Sequence, residues 1–332
     1  MRLLSGLHAH IVIFMAISKI GDRVLLLPER AGGHMSTASI LERLGLEIIE
    51  VPVSAGGFQI DRERTMDIVR NENLDFIFID RSEGLCYEDF SGLFESSSAY
   101  KVFDASQYLT NIISGHHKHP FDMGFDMVVS TIHKNFPGPQ RAIAFTKRRD
   151  EFWKKVLAGI STYVSNMHVD SIYAAGMCLN QPYLQEYSAR MLDNAVGLEA
   201  ALAEQNLPII RRHGDAAPTH HLWLLPPSRE EAFRIFADLE RARILTNFRL
   251  LPYGLGYGIR MGTSGATRLG LGPQHVNRLA ELVARIARSG PVPGLRHAVR
   301  QLAEEIRHAN VQYGLSPDGA SSFHSPDEAP YS

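Results

Sequence analysis

Short apolar runs alternate with helical stretches along the first 150 residues. The runs over 23–28, 47–53, 74–80, 100–104, 126–131 and 141–146 are rich in β-branched and aromatic residues and predict strands. Between them, 36–44, 61–71 and 106–114 have helical composition or periodicity. Strands this short and this uniformly apolar, separated by helices, predict an α/β fold with a mostly parallel sheet covered on both faces. The apolar run 11–17 is too short to span a bilayer. It follows a polar stretch with two histidines and is read as a buried helix, not a leader. From 151 to about 205 the chain reads as helical, with breaks near Gly159 and Pro182. A second unit follows, with strands at 207–211, 220–225 and 258–261 and helices at 229–241, 274–289 and 295–310. The pattern predicts a larger domain over 1–185 and a smaller α/β domain over 186–315. The tail 316–332 is rich in Ser, Pro, Asp and Gly and is expected to be disordered.

Composition narrows the functions. The 332 residues carry a formal charge of -2, which argues against a general attraction to nucleic acid or an acidic membrane. Two cysteines, Cys86 and Cys178, have no metal-ligand spacing, so no metal centre and no disulfide framework are expected, and a reducing cytoplasm is the default. In an open parallel sheet a ligand binds at the carboxyl ends of the strands. Ser82, Asp104 and Lys134 all fall there. Lys134 is delivered into a turn stiffened by Pro137, Gly138 and Pro139, which would hold one amine against a carbonyl cofactor.

Several blocks occur in order: Ser5-Gly6, Gly32-Gly33-His34, Ser82, Asp104, Thr131 through Gln140, and Gly258-Ile259-Arg260-Met261-Gly262-Thr263 with Thr267-Arg268. Together they resemble the serine hydroxymethyltransferase branch of fold-type-I pyridoxal-phosphate (PLP) transferases, and within it most closely the L-threonine transaldolases. The resemblance implies that Lys134 bonds covalently to the cofactor's aldehyde, through an amine kept neutral by burial and nearby positive charge; a surface loop lysine is its other reading. It implies that Asp104 pairs with the pyridine nitrogen, though an aspartate here also suits the N-cap of the next helix. His34 would stack on the ring, Gly32 and Gly33 allowing close backbone approach. Ser82 would contact the cofactor's 3′ oxygen, although a serine at a strand end is ordinarily a turn residue. Arg260 would grip the substrate's α-carboxylate; a salt bridge between domains is its other reading. Ser5 and Gly6 are the phosphate candidates, with a helix N-terminus behind them; Thr131 would contact the phosphate or the ring, and Gln107 and His133 would also meet the cofactor.

Departures from the family pattern shape the expected chemistry. Leu7 stands where a second serine is usual, Gln107 where a histidine is usual, and Ser165-Asn166 where a glycine pair reaches the partner's phosphate. The loop 252–257 lacks the Ser-Pro-Phe pattern associated with folate. The long family segment that precedes the Ser-Gly motif, with a glutamate and tyrosines acting across the dimer, is expected to be missing; the alternatives are an internal start at Met1, supply by another chain, or lost activity. The expected reaction is therefore cleavage and formation of the Cα–Cβ bond of a β-hydroxy-α-amino acid through a glycyl quinonoid, with an aldehyde as co-substrate and His34 or His133 as base. The expected assembly is a homodimer. Serine hydroxymethyl transfer, transamination or decarboxylation, and a non-catalytic partner subunit are the alternatives.

Overall fold

The computed structural model describes residues 2–54, 58–179, 184–212 and 217–312. The break expected at Pro182 and the disorder expected over 316–332 fall outside them. Six of the strands read from the sequence form one sheet: β1 (Arg23–Leu26), β2 (Glu47–Glu50), β3 (Phe76–Asp80), β4 (Tyr100–Asp104), β5 (Met127–Thr131) and β6 (Ala142–Thr146). Their order is β2-β1-β3-β4-β5-β6, parallel except for β6, which runs antiparallel to β5 at the edge. Every residue of β3 and β5 is buried, as both-face coverage requires. Leu25, Ile77, Phe103 and Val128 point into one core. Their neighbours Val24, Phe76, Phe78, Val102 and Met127 point into the other.

Six α-helices accompany this sheet among the described residues: α1 (Gly6–Ile17), α2 (Thr37–Arg43), α3 (Arg62–Asn71), α4 (Leu109–Ile113), α5 (Glu151–Tyr163) and α6 (Val169–Leu179); α7 (Leu184–Glu204) follows and packs Ala195, Leu198, Ala201 and Leu202 into the core of the second sheet. The apolar run 11–17 forms most of α1, whose N-cap Ser5 accepts from the His8 amide. One expectation fails at Gly159. Helix α5 runs through it without a break, and a Cβ there would lie 2.4 Å from that of Ala16 on α1. The glycine is a close-approach point between two helices, not a helix breaker.

The second sheet has β7 (His221–Leu224), β8 (Asn247–Leu251) and β9 (Gly256–Gly262), antiparallel in the order β7-β9-β8. It packs with α8 (Arg229–Arg241), α10 (Pro273–Ser289) and α11 (Pro293–Gln312), while the short α9 (Ser264–Arg268) follows β9. The strand expected over 207–211 is absent apart from a bridge between Ile209 and Leu224. Pro208 has no N–H to give a ladder, and only its carbonyl is used, by the Leu225 amide. Strand β8 was not anticipated. Among the described residues, no helix is long and apolar enough to cross a membrane.

Candidate active site

The carboxyl edge of the large sheet faces one end of the small sheet across a cavity of about 470 Å³. His34, Ser82, Glu83, Gln107 and Lys134 line it from the first side; His220, Thr246, Asn247, Arg249 and Arg260 line it from the second. Five of the residues singled out from the sequence therefore share one cavity: His34, Ser82, Gln107, Lys134 and Arg260.

Lys134 departs from the buried amine expected of it. It is exposed, because the turn after β5 opens straight onto the cavity. Among the described residues no hydrogen bond or ion pair holds it, although its charge acts on Glu83, Asp104, His10 and His34. His133, next along, is half-buried, with Nδ1 3.3 Å from the Arg141 carbonyl, and is not among the lining residues.

Asp104 ends β4 and is buried. Its Oδ1 accepts from the Ser106 amide at 2.6 Å within the turn that follows β4; the N-cap reading fails, because α4 begins only at Leu109 and Tyr108 holds its cap position. Its Oδ2 lies 2.6 Å from His10 Nε2. Burial alone would raise this carboxyl, yet the bond and charge of His10, with Ser106 and Lys134, hold it below the usual carboxylate range. His10 is raised in turn: burial opposes its charge, but Asp104 and then Asp80 outweigh that. Behind it, Asp80 accepts from Thr37 Oγ1 at 2.5 Å and from the His34 amide at 2.7 Å. Burial pushes Asp80 up to about 7. The sequence reading missed this string of groups. Its signal was the stripe Gly6, His10, Phe14 on the inward face of α1, where a histidine sits among core residues.

Gly6 brings the start of α1 against β5: a Cβ there would meet Thr131 Cγ2 at 2.8 Å. Ser106, also missed from sequence, accepts the Thr131 amide at 2.9 Å. Ser5, Gly6, Ser106 and Thr131 thus gather where the first helix begins. On the other flank, Gly32 has φ +92°, and a Cβ would sit 2.1 Å from the Glu83 carbonyl. Only glycine allows that approach, which seats His34 above Asp80. The tip of the β8–β9 hairpin docks beside it, with the Tyr253 hydroxyl donating to the Ala31 carbonyl at 3.0 Å.

Arg260 donates to Glu83 Oε1 at 2.5 Å and to Asn247 Oδ1 at 2.8 Å. The salt bridge between the two units, one of the two readings of this arginine, is present. Arg249 reaches the same Glu83 oxygen at 2.6 Å. Neither Glu83 nor Arg249 was singled out from the sequence.

The cavity histidines are neutral. Burial holds His34 down at about 4, helped by the charges of His10 and Lys134, and holds His220 at about 3. Buried His117 lies at about 4 for the same first reason. An unfolded chain takes these protons near pH 6.5. Below 6.5 it therefore binds more protons than the folded chain, and stability is lost as pH falls. The expected slope between 6.5 and about 4 is about 1.4 kcal/mol per pH unit for each such histidine. Urea midpoints measured at pH 7.5 and 5 check this, and His220→Asn is expected to flatten the dependence.

The donor set suits one cofactor. An amine open to a cavity, a buried carboxylate held ionised beneath it, and a helix N-terminus beside hydroxyls fit an aldehyde, a protonated ring nitrogen and a phosphate. The fold and this site define a PLP-dependent enzyme of fold type I. The chain belongs to the serine hydroxymethyltransferase family, whose model matches residues 1–283. It is 26% identical to the serine hydroxymethyltransferase of Pyrobaculum arsenaticum over 328 residues, covering 96% of this chain and 76% of that protein. The enzyme of the same name from Picrophilus torridus is 25% identical over 328 residues, covering 94% of this chain and 76% of the relative. Among solved structures, the L-threonine transaldolase of Pseudomonas fluorescens in its internal aldimine state superposes with a TM-score of 0.86 at 22% identity. That match covers 92% of this chain and 72% of the other, and shows a shared fold.

Proposed function

We propose that the chain cleaves and forms the Cα–Cβ bond of β-hydroxy-α-amino acids, exchanging an aldehyde on a threonine-like donor. The observation that carries this reading is the pairing of the Lys134 amine and the Arg260 guanidinium on one cavity, with ionised Asp104 buried close by. When bound, PLP supplies the electron sink for the bond that breaks at the substrate's α-carbon. The rest falls to the chain. Lys134 would hold the cofactor's aldehyde. Arg260 would take the substrate's α-carboxylate in its fork and so orient the amino acid. Asp104 would offer its negative charge to the ring nitrogen. Ser5, Gly6 and Thr131 would meet the phosphate, Ser82 and Gln107 the ring substituents, and His34 the ring face. His34, neutral at working pH, accepts the Ser36 amide on Nδ1 at 3.2 Å, so its Nε2 carries the hydrogen and can hold the β-hydroxyl as a donor.

Serine hydroxymethyl transfer is the second reading, favoured by the names of the sequence relatives. One assay separates the two. Threonine plus an acceptor aldehyde should yield acetaldehyde and a new β-hydroxy amino acid. Serine cleavage that depends on tetrahydrofolate, with no such exchange, would reverse the assignment.

The reading includes a cytoplasmic homodimer. Helix α1 exposes Leu7, Ile11 and Met15, and α6 exposes Val169, Tyr173 and Met177, each set at four-residue spacing. Stripes of this kind on a charged surface suit a self-associating face. Sedimentation is expected to show a dimer, and Ile11→Glu a shift to monomer; an unshifted dimer would clear α1 of that role.

A further inference from the structure

The two terminal nitrogens of Arg260 are already engaged, one by Glu83 and one by Asn247. Glu83 is buried, follows Ser82 after β3, and has its amide fixed to the Gly32 carbonyl at 2.9 Å. Its Oε1 carries both guanidiniums, while Oε2 is buried without a hydrogen-bond partner among the described residues. Arg249 Nε is likewise buried and unpartnered. The register of β8 and β9 explains the convergence. Asn247 faces Arg260 and Arg249 faces Gly258, so both arginines stand on one face of the sheet.

Charge decides what this cluster can accept. Arg260 and Glu83 alone would be neutral, and a substrate carboxylate would then put two anions on one guanidinium. With Arg249 the cluster holds two cations and one anion. Within these three side chains one further carboxylate closes the balance, the group an amino acid brings at its α-carbon. Glu83 is buried and the two arginines are half-buried, where an unbalanced charge is still costly, so the second arginine matters for binding even though it need not touch the substrate.

We propose that Glu83 occupies Arg260 as an internal stand-in for the substrate's carboxylate, and that Arg249 takes Glu83 over when the amino acid arrives. This rests on the reading of Arg260 as the carboxylate site. Arg249 is thus an affinity-determining residue that acts through Glu83. Its unpartnered Nε and the free Oε2 of Glu83 are the donor and acceptor available for the rearranged pair.

The test is calorimetric titration of the PLP-loaded protein with L-threonine and with glycine. Arg249→Met should weaken binding roughly tenfold or more, the scale of one unpaired charge at a buried pair. Glu83→Gln should bind at least as tightly as the unaltered chain, because the competitor is gone. The double variant Glu83→Gln/Arg249→Met should recover most of the lost affinity. Unchanged binding in Arg249→Met, weakened binding in Glu83→Gln, or no recovery in the double variant would each overturn the proposal. Arg260→Lys is the control for the underlying reading. If it leaves affinity untouched, the carboxylate site lies elsewhere and both ideas fall. If it weakens binding while Glu83 and Arg249 show no coupling, only the proposal falls.

Discussion

Lys134→Ala is expected to reduce turnover by on the order of 10⁴-fold or more, the scale seen when an enzyme loses its nucleophile. The visible absorbance that PLP gains on bonding to a lysine should vanish with it. The physical ground is the isolation of this amine. It opens on the cavity at the end of a fully buried strand, and no described residue hydrogen-bonds to it. Borohydride reduction followed by peptide mapping provides the direct check. The pyridoxyl label should sit on the peptide containing Lys134 and be absent from the alanine variant. Label on another lysine would end the assignment.

Asp104→Asn is expected to cost about 10²- to 10³-fold in kcat, the usual penalty for removing one preorganised electrostatic group. The fold should survive, since asparagine can still accept the Ser106 amide. His10→Asn provides a graded companion. In the native chain the bond and charge of His10 work against the burial that would raise Asp104. A carboxylate held low is ionised above its lowered value and loses its charge only as pH falls through it. Without His10, burial is opposed by less, so the acid limb of the pH–kcat profile should move to higher pH. An unchanged limb would mean that His10 is only a packing residue. A merely structural defect would lower activity equally at every pH.

Much of the architecture could be read from residue order, because the large sheet is made of apolar runs bounded by polar turns. β4 and α8 have the limits expected, and the other large-sheet strands differ by trimmed ends. The failures have local causes. Strand β8, Asn-Phe-Arg-Leu-Leu, is a partly exposed edge with no clean alternation, and its arginine faces a cavity. At 207–211 the proline cancels a strand that composition favours. Gly159 was read as a breaker because sequence shows the missing side chain but not the neighbouring helix that requires it. The site divides the same way. Lys134, Asp104 and Arg260 were legible as candidates because each lies in a strand, at its end or in the turn after it, within a recognisable block. The partners of two of them could not. His10 meets Asp104 across 94 positions and Arg260 meets Glu83 across 177, and only the folded chain brings such pairs together.

The contact between Gly159 and Ala16 has a consequence at the other end of its helix. α1 is a rigid rod carrying Ser5 at its tip, His10 in its middle and Ala16 near its base. The six residues from Ala16 to His10 span about 9 Å of helix axis. A methyl group added at position 159 would force α1 or α5 to give way, and a shift of α1 would draw the imidazole off Asp104. A clearance too small for one carbon, on the side of the helix away from the chemistry, thus bears on how His10 meets the carboxylate on which the proposed reaction relies.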